Sequence, residues 1–464
     1  MTDQRAAEQI RGLRPELGGI VETIEGRAPY GAVSLSSRSS TSYLVDNQQE
    51  QVTPGKPKDG MIATAFDGET IRERSESSFD LDRLQKMAGE LSREAVFSSQ
   101  TITDLGGERR EDYRTPMEKD PGAMSTQEKL DALRELNSRV NQLDSRIANV
   151  RVRFTEINEI SLFRNRSLDL FQEITRVHLM VLVTVLGEKG AVMNWKTSSG
   201  TGGWEKAQLS DQELDQVVST CLKLLDAERI TPGKYTAITS PSVSGVICHE
   251  SFGHGVETDM FLKGRAKAAH YLDQRVGSDL VNIYDDPGVP GALGSYFFDD
   301  EGYPAEATQI VREGIFERGI TDLYSATALD IPRSPNGRRQ DFTRKIYPRM
   351  SNTFFGAGDT PVDDLIGRVD QGIYLPKVSS GMEDPKGWGI QVTCHYGYEI
   401  KGGQLTDTMY APIGLTGYVP EVLGSISGVG DTLELSGGMC GKGTKEMVPV
   451  SDGGPHLLLE ARLG

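Results

Sequence analysis

Two histidines and a glutamate fall within six residues, in the run His249-Glu250-Ser251-Phe252-Gly253-His254. The chain of 464 residues holds only six His and four Cys, so a third of its imidazoles are concentrated here. Two imidazoles close together can bind one zinc ion, and a carboxylate beside the first can accept a proton from a water that the metal acidifies. The spacing is H-E-x-x-x-H. In the more familiar H-E-x-x-H the imidazoles are four apart, about 40° around an ideal helix, whereas five apart is about 140°. The run therefore predicts a distorted helix, in which a π-type bulge absorbs the extra residue and Gly253 marks the easiest place for it.

Two ligands are too few, because a catalytic zinc site has three from the protein and leaves a fourth position open. Three further sources are within the reach of the sequence. Glu257 follows His254 by three residues and needs no long-range folding. Cys394-His395 lies in a strand-like segment, where adjacent side chains point to opposite faces, so at most one of the two can join. Cys440 sits among glycines in the stretch 437–443, read as a loop, where a thiol has little apolar company and suits a ligand thiolate. Lys442 beside it would favour the ionised sulfur. Glu257 or Asp259 could orient a ligand imidazole from behind, and Arg349 is a candidate contact for substrate or an oxyanion.

These residues need a scaffold, and the composition bounds what it can be. The length favours two domains. With 50 basic and 67 acidic residues the net charge is −17 and no basic run interrupts it, which argues against nucleic acid as a partner. The first residues lack the apolar core of a signal peptide or anchor, and no apolar run is long enough to span a bilayer. Four scattered Cys do not make a disulfide framework, which favours a reducing, cytoplasmic setting.

Glycine is unevenly placed, with 17 in residues 1–230 and 35 in residues 231–464. The expected fold is α+β: a mixed α/β N-terminal domain, 1–230, and a glycine-rich, β-dominated C-terminal domain, 231–464, curved or closed, that carries the metal-binding helix near its start. In the first half, strands are expected at 32–45 and 60–71 and a helix at 81–96. The polar stretch 105–124 reads as a loop. Ser125 with Glu128, and Ser210 with Glu213, are capping boxes opening amphipathic helices. The β-branched run 177–186, a Gly-Glu-Lys-Gly turn and a return through Trp195 predict a hairpin. Cys221 belongs to the apolar face of the second helix, as a core residue. The second half shows short strand-like segments at 281–286, 294–302, 310–320, 372–378, 390–400, 404–413 and 457–463. The stretch 439–445 is no phosphate loop, because Ser436 stands where the first glycine is needed. His178, His270 and His456 are isolated and read as structural or surface residues. Asp299, Asp300 and Glu301 could hold a hard cation, but a solvated turn fits them better.

The signature run and its continuation through Gly255-Val256-Glu257-Thr258-Asp259 resemble the metal-binding helix of the TldD/PmbA family of metallopeptidases. The resemblance extends to Asp299-Asp300-Glu301-Gly302, to Pro348-Arg349-Met350-Ser351-Asn352-Thr353, and to Cys440-Gly441-Lys442 followed by Val448-Pro449-Val450, in family order over most of 230–460. It implies a zinc peptidase in which His249, His254 and Cys440 bind one metal ion and Glu250 is the general base. It also implies peptides or unfolded protein segments as substrates, held as an extended strand. Family members with the intact motif act as the catalytic, TldD-type subunit, so a homodimer or a heterodimer with a PmbA-type paralogue is implied. Where relatives have a Gln near the end of the C-G-K loop, this chain has Lys445-Glu446. The contrasting expectation is a non-catalytic subunit that holds a peptide or a partner, which would have no need of a general base.

Overall fold

The computed structural model describes residues 2–95, 102, 107–188, 190–443 and 446–464. The first half is built on one eight-stranded sheet in which the strand Ile147–Arg164 pairs antiparallel with both Tyr30–Val45 and Leu168–Gly187. Leu168–Gly187 turns back into Gly190–Thr201, the hairpin the β-branched run predicts. Lys58–Phe66 and Ile71–Glu76 extend the opposite edge. The helix Leu81–Glu94 starts where expected, with Asp80 as its N-cap, and Val96 lies outside the described residues. Both capping boxes form: Ser125 and Glu128 open the helix Thr126–Asn141, and Ser210 and Glu213 open Asp211–Lys223. Cys221 packs in the core, its Sγ against the carbonyls of Val183 and Val192.

The polar stretch at 105–124 is not simply a loop. Arg109–Arg114 forms a strand parallel to Leu168–Gly187, although residues 105 and 106 lie outside the described residues. Its side chains are almost all charged, yet an edge strand needs only backbone pairing and one tolerable face. Arg11 from the helix Thr2–Leu13 and Arg14 from the 3-10 turn Arg14–Glu16 that follows it reach Asp112 across it.

The second half closes on itself. The strands Gln371–Asp384, Gly233–Thr239, Leu457–Leu463, Ile413–Tyr418 and Gly389–Lys401 pair in that order, and Gly389–Lys401 pairs back onto Gln371–Asp384, completing a five-stranded ring. A second, six-stranded sheet includes Asn352–Phe355, Glu446–Gly454 and Glu434–Lys442. The segment 294–302, read as a strand, is irregular, and its β-pairing among the described residues is one isolated bridge from Phe298 to Pro304. Its acidic residues are not in a solvated turn either. Asp299 is buried and accepts from the backbone amides of Glu301, Tyr303 and Gly337, and Glu301 accepts from Leu323 N and Arg333. These carboxylates accept from backbone amides that the sparse backbone pairing of this segment leaves over. Among the described residues, no helix is long and apolar enough to cross a membrane.

The short helix Pro241–Cys248 emerges directly from the ring strand Gly233–Thr239, with Pro at its start, and rests between ring and second sheet. Val243, Ile247, Cys248 and Phe252 drive into the main core, where Phe252 meets Phe316 and Trp388 at ring-centroid distances of 5.6 and 5.5 Å.

Candidate metal centre

Past Cys248 the helix widens. His249–Gly253 is one π-helical turn, followed by the 3-10 turn His254–Val256. The extra residue between the histidines is absorbed in that wide turn, as the spacing requires. Gly253 is needed for space: a Cβ there would overlap Met350 Sδ. The outcome is that the two imidazoles lie 5.1 Å apart between centroids and nearly perpendicular, at 83°.

The third group comes from far along the chain. Ligand atoms of His249, His254 and Cys440 all lie within 4.8 Å of one another. Cys440 is in the strand Glu434–Lys442 and not in a loop, and alternation turns its thiol inward against His254 Nε2 at 3.1 Å. Burial alone pushes the Cys440 thiol up, but the two imidazoles more than reverse this and bring it down to about 5. The reciprocal effect raises His254, where burial acts downward and the Cys440 and Glu257 contacts outweigh it. An acidic thiol and two imidazoles are a donor set that suits zinc, and three protein ligands leave one position open.

The other candidates go elsewhere. Cys394 is buried in apolar surroundings that push its thiol up to about 12, and His395 Nε2 meets Met193 O at 2.8 Å. Glu257 is buried with Oε1 3.6 Å from His254 Nδ1, on the far side of that ring from Cys440. It therefore backs His254. Lys442 does not face the thiol: Nζ donates to Glu257 Oε2 and to Asp259 Oδ1, both at 2.7 Å. Asp259 takes Lys263 as well, so it holds the lysines and not an imidazole. Arg349 backs the thiol. It is 1% exposed, and its guanidinium donates to Cys440 O at 2.9 Å, Cys440 Sγ at 3.2 Å and Glu446 O at 2.9 Å, with Nε 3.3 Å from Glu257. It holds the sulfur in place.

Glu250 lies on the turn between the histidines, close enough for the charges of His249, His254 and Cys440 to act on its carboxyl. Burial pushes its carboxyl up, with the imidazoles opposing only in part, which moves it toward the range of a working general base. Two residues of the site were not legible in advance. Asp452, from Glu446–Gly454, places Oδ2 3.8 Å from His249 Nδ1, the counterpart of Glu257 behind His254. Gly381, on Gln371–Asp384, lies so close to Glu250 that a Cβ would fall 3.0 Å from Oε1. Only strand register brings them there, and neither has a local motif that could have flagged it.

Known proteins resemble this chain over most of its length. Residues 119–251 match the model of the PmbA/TldA metallopeptidase central domain and residues 232–462 that of its C-terminal domain. A metalloprotease of Methanothermobacter thermautotrophicus is 28% identical over 452 residues, covering 95% of this chain and 96% of that one. A protein of Saccharolobus solfataricus named as a zinc metalloprotease TldD homolog is 26% identical over 334 residues, 71% of this chain and 74% of its own. A crystal structure from Thermotoga maritima superposes with a TM-score of 0.78 over 98% of this chain and 100% of that one, at 16% identity, a likeness of fold.

Proposed function

The chain belongs to the PmbA/TldD family of metallopeptidases, and from that premise we propose that it is a zinc-dependent peptidase acting on peptides or unfolded protein segments bound as an extended strand. The observation that carries the proposal is the convergence of His249, His254 and Cys440 on one point beside Glu250. These three side chains would hold one zinc ion. Bound there, zinc supplies a Lewis acid that polarises a carbonyl and acidifies water.

The remaining work falls to residues of this chain. Glu250 accepts the proton of the attacking water and returns it to the departing amine nitrogen. Glu257 and Asp452 orient the two imidazoles from behind, and Arg349 orients the sulfur. The strand Gln371–Asp384 pairs with Gly233–Thr239 only through Ile373–Leu375, while its pairing with Gly389–Lys401 continues to Asp384. The part that borders Glu250 thus has one edge unpaired among the described residues, where an extended peptide can add as a further strand. Residues 1–230 form the unit that covers the cleft or meets a partner, and the partner is a second copy or a PmbA-type paralogue in the cytoplasm. Light scattering of the pure protein, alone and mixed with such a paralogue, separates those two assemblies.

The test of the peptidase reading is metal analysis together with cleavage of an unstructured peptide. The protein should carry about one zinc per chain when purified without chelator, and Cys440→Ala should lose it. Glu250→Ala should keep the zinc and lose cleavage by about 10²- to 10⁴-fold. Zinc-free wild type, or a Glu250→Ala protein that cleaves at the wild-type rate, overturns the reading.

A further inference from the structure

The strand that borders the base carries a second acidic group. Gly381 and Glu383 are two residues apart on Gln371–Asp384 and so project from the same face, about 6.7 Å apart along the strand. That face lies along the metal-binding turns. Gly381 abuts Glu250, and Glu383 abuts Gly255, the residue after His254, where a Cβ would fall 2.7 Å from Glu383 Oε1. Glu383 therefore sits one side-chain step from the base.

Both carboxyl oxygens of Glu383 are buried, and neither has a hydrogen-bond partner. The donors nearby are committed elsewhere. Trp388 Nε1 donates to Ser251 O at 3.2 Å. The two nitrogens of His254 face Cys440 and Glu257. Lys442 and Lys263 are spent on Glu257 and Asp259, and Arg349 on Cys440 and Glu446. Lys267, which meets the hairpin tip through its backbone, holds Nζ 4.6 Å over the Tyr418 ring. The charges that act on Glu383 are those of one imidazole, His254, and three carboxylates, Glu250, Glu257 and Asp384; burial is the largest influence and pushes its carboxyl up to about 9. A buried carboxyl with no donor is costly, and the cost is removed when a donor, best a cationic one, arrives.

We propose that Glu383 is a specificity-determining residue that receives a cationic group of the substrate, an ammonium or guanidinium, next to the scissile bond. This rests on the peptidase reading and adds to it the class of peptide preferred. The cation has two sources in a peptide, the free N-terminus or a Lys or Arg side chain, and they share this chemistry.

The experiment separates binding from cleavage. Peptides labelled at the C-terminus are titrated into zinc-loaded Glu250→Ala protein and followed by fluorescence anisotropy. One series compares a free with an acetylated N-terminus, and the other compares Lys with norleucine at each position of the peptide. The expected result is at least tenfold tighter binding of one cationic member of a pair, lost in Glu250→Ala/Glu383→Gln, while the neutral peptides bind the two proteins within about twofold and zinc content is unchanged. The series that shows the preference identifies the source of the cation. No preference in either series, or a loss in Glu383→Gln that is equal for charged and neutral peptides, overturns the proposal. Failure of the peptidase reading looks different: bound peptides would stay intact with zinc-loaded wild type. Failure of the Glu383 proposal alone would leave cleavage intact and indifferent to charge.

Discussion

Replacing Arg349 by Met keeps a side chain that can fill much of its buried volume and removes every contact that the guanidinium makes. The sulfur of Cys440 loses a charge-assisted donor at 3.2 Å, and the carbonyls of Cys440 and Glu446 lose donors at 2.9 Å each. Glu257 loses one of its cations and keeps Lys442. A hydrogen bond from a charged group contributes about 1.5–3 kcal/mol, which for the ligand sulfur alone corresponds to roughly 10- to 150-fold in zinc affinity. That range agrees with the roughly 10- to 100-fold typical of groups that orient metal ligands. The fold should lose about 1–3 kcal/mol, the cost of leaving a buried acceptor without its donor, while Lys442 still compensates Glu257. Zinc affinity is measured by competition with a chromophoric chelator, after a thermal melt has established that the variant is folded. Arg349→Lys keeps the charge without the fork and should fall between wild type and Met. If folded Arg349→Met binds zinc within threefold of wild type, Arg349 does not hold the ligand sulfur and the reasoning fails.

Gly381→Ala should retain zinc yet lower kcat several-fold, because the new Cβ would fall 2.3 Å from Val246 Cγ1 and 2.9 Å from Glu250 Cγ, so that the turn carrying the base must shift by a few tenths of an ångström. Unchanged kcat at full metal content would show that the base has room to spare. Lys377 bridges the two halves, donating to Asn194 Oδ1 at 2.7 Å and to Trp195 O, with no carboxylate in contact among the described residues. Burial lowers its ammonium from 10.5 to about 7, so between those values the unfolded chain binds the extra proton and stability must rise with pH. Melting from about pH 7 to pH 10 should therefore show wild type gaining on Lys377→Met, and a constant gap would remove Lys377 as the cause. Ser125→Ala breaks the capping box of Thr126–Asn141 and should cost about 1 kcal/mol in chemical denaturation without changing cleavage. A loss below about 0.3 kcal/mol would show that this helix is held by packing alone.

Local signals carried much of the fold. Capping boxes and amphipathic helices depend on residues three or four positions apart and the hairpin on a β-branched run beside a glycine turn, and all of these appeared. The charged strand Arg109–Arg114 did not, since an edge strand can be recognised only once its partner is known. Asp299 and Glu301 looked like a solvated turn because acidity is legible in a sequence and burial is not. Cys440 was marked by unusual neighbours, yet its glycines disguised a strand as a loop.

The sequence by itself determined the chemistry available: a base flanked by two imidazoles, a spacing that demands a widened turn, and few thiols to complete the set. A five-residue interval on a helix has only one way to bring both rings together, so the distortion was legible before any fold. The tertiary structure alone decided how that chemistry is held. Asp452 meets His249, Gly381 meets Glu250 and Glu383 meets Gly255 because strand register sets which face each side chain takes. A slip of one residue would turn them all away. Register is fixed by the closure of the ring and by the packing of Phe252, Phe316 and Trp388 beneath the helix, interactions between residues far apart in the chain.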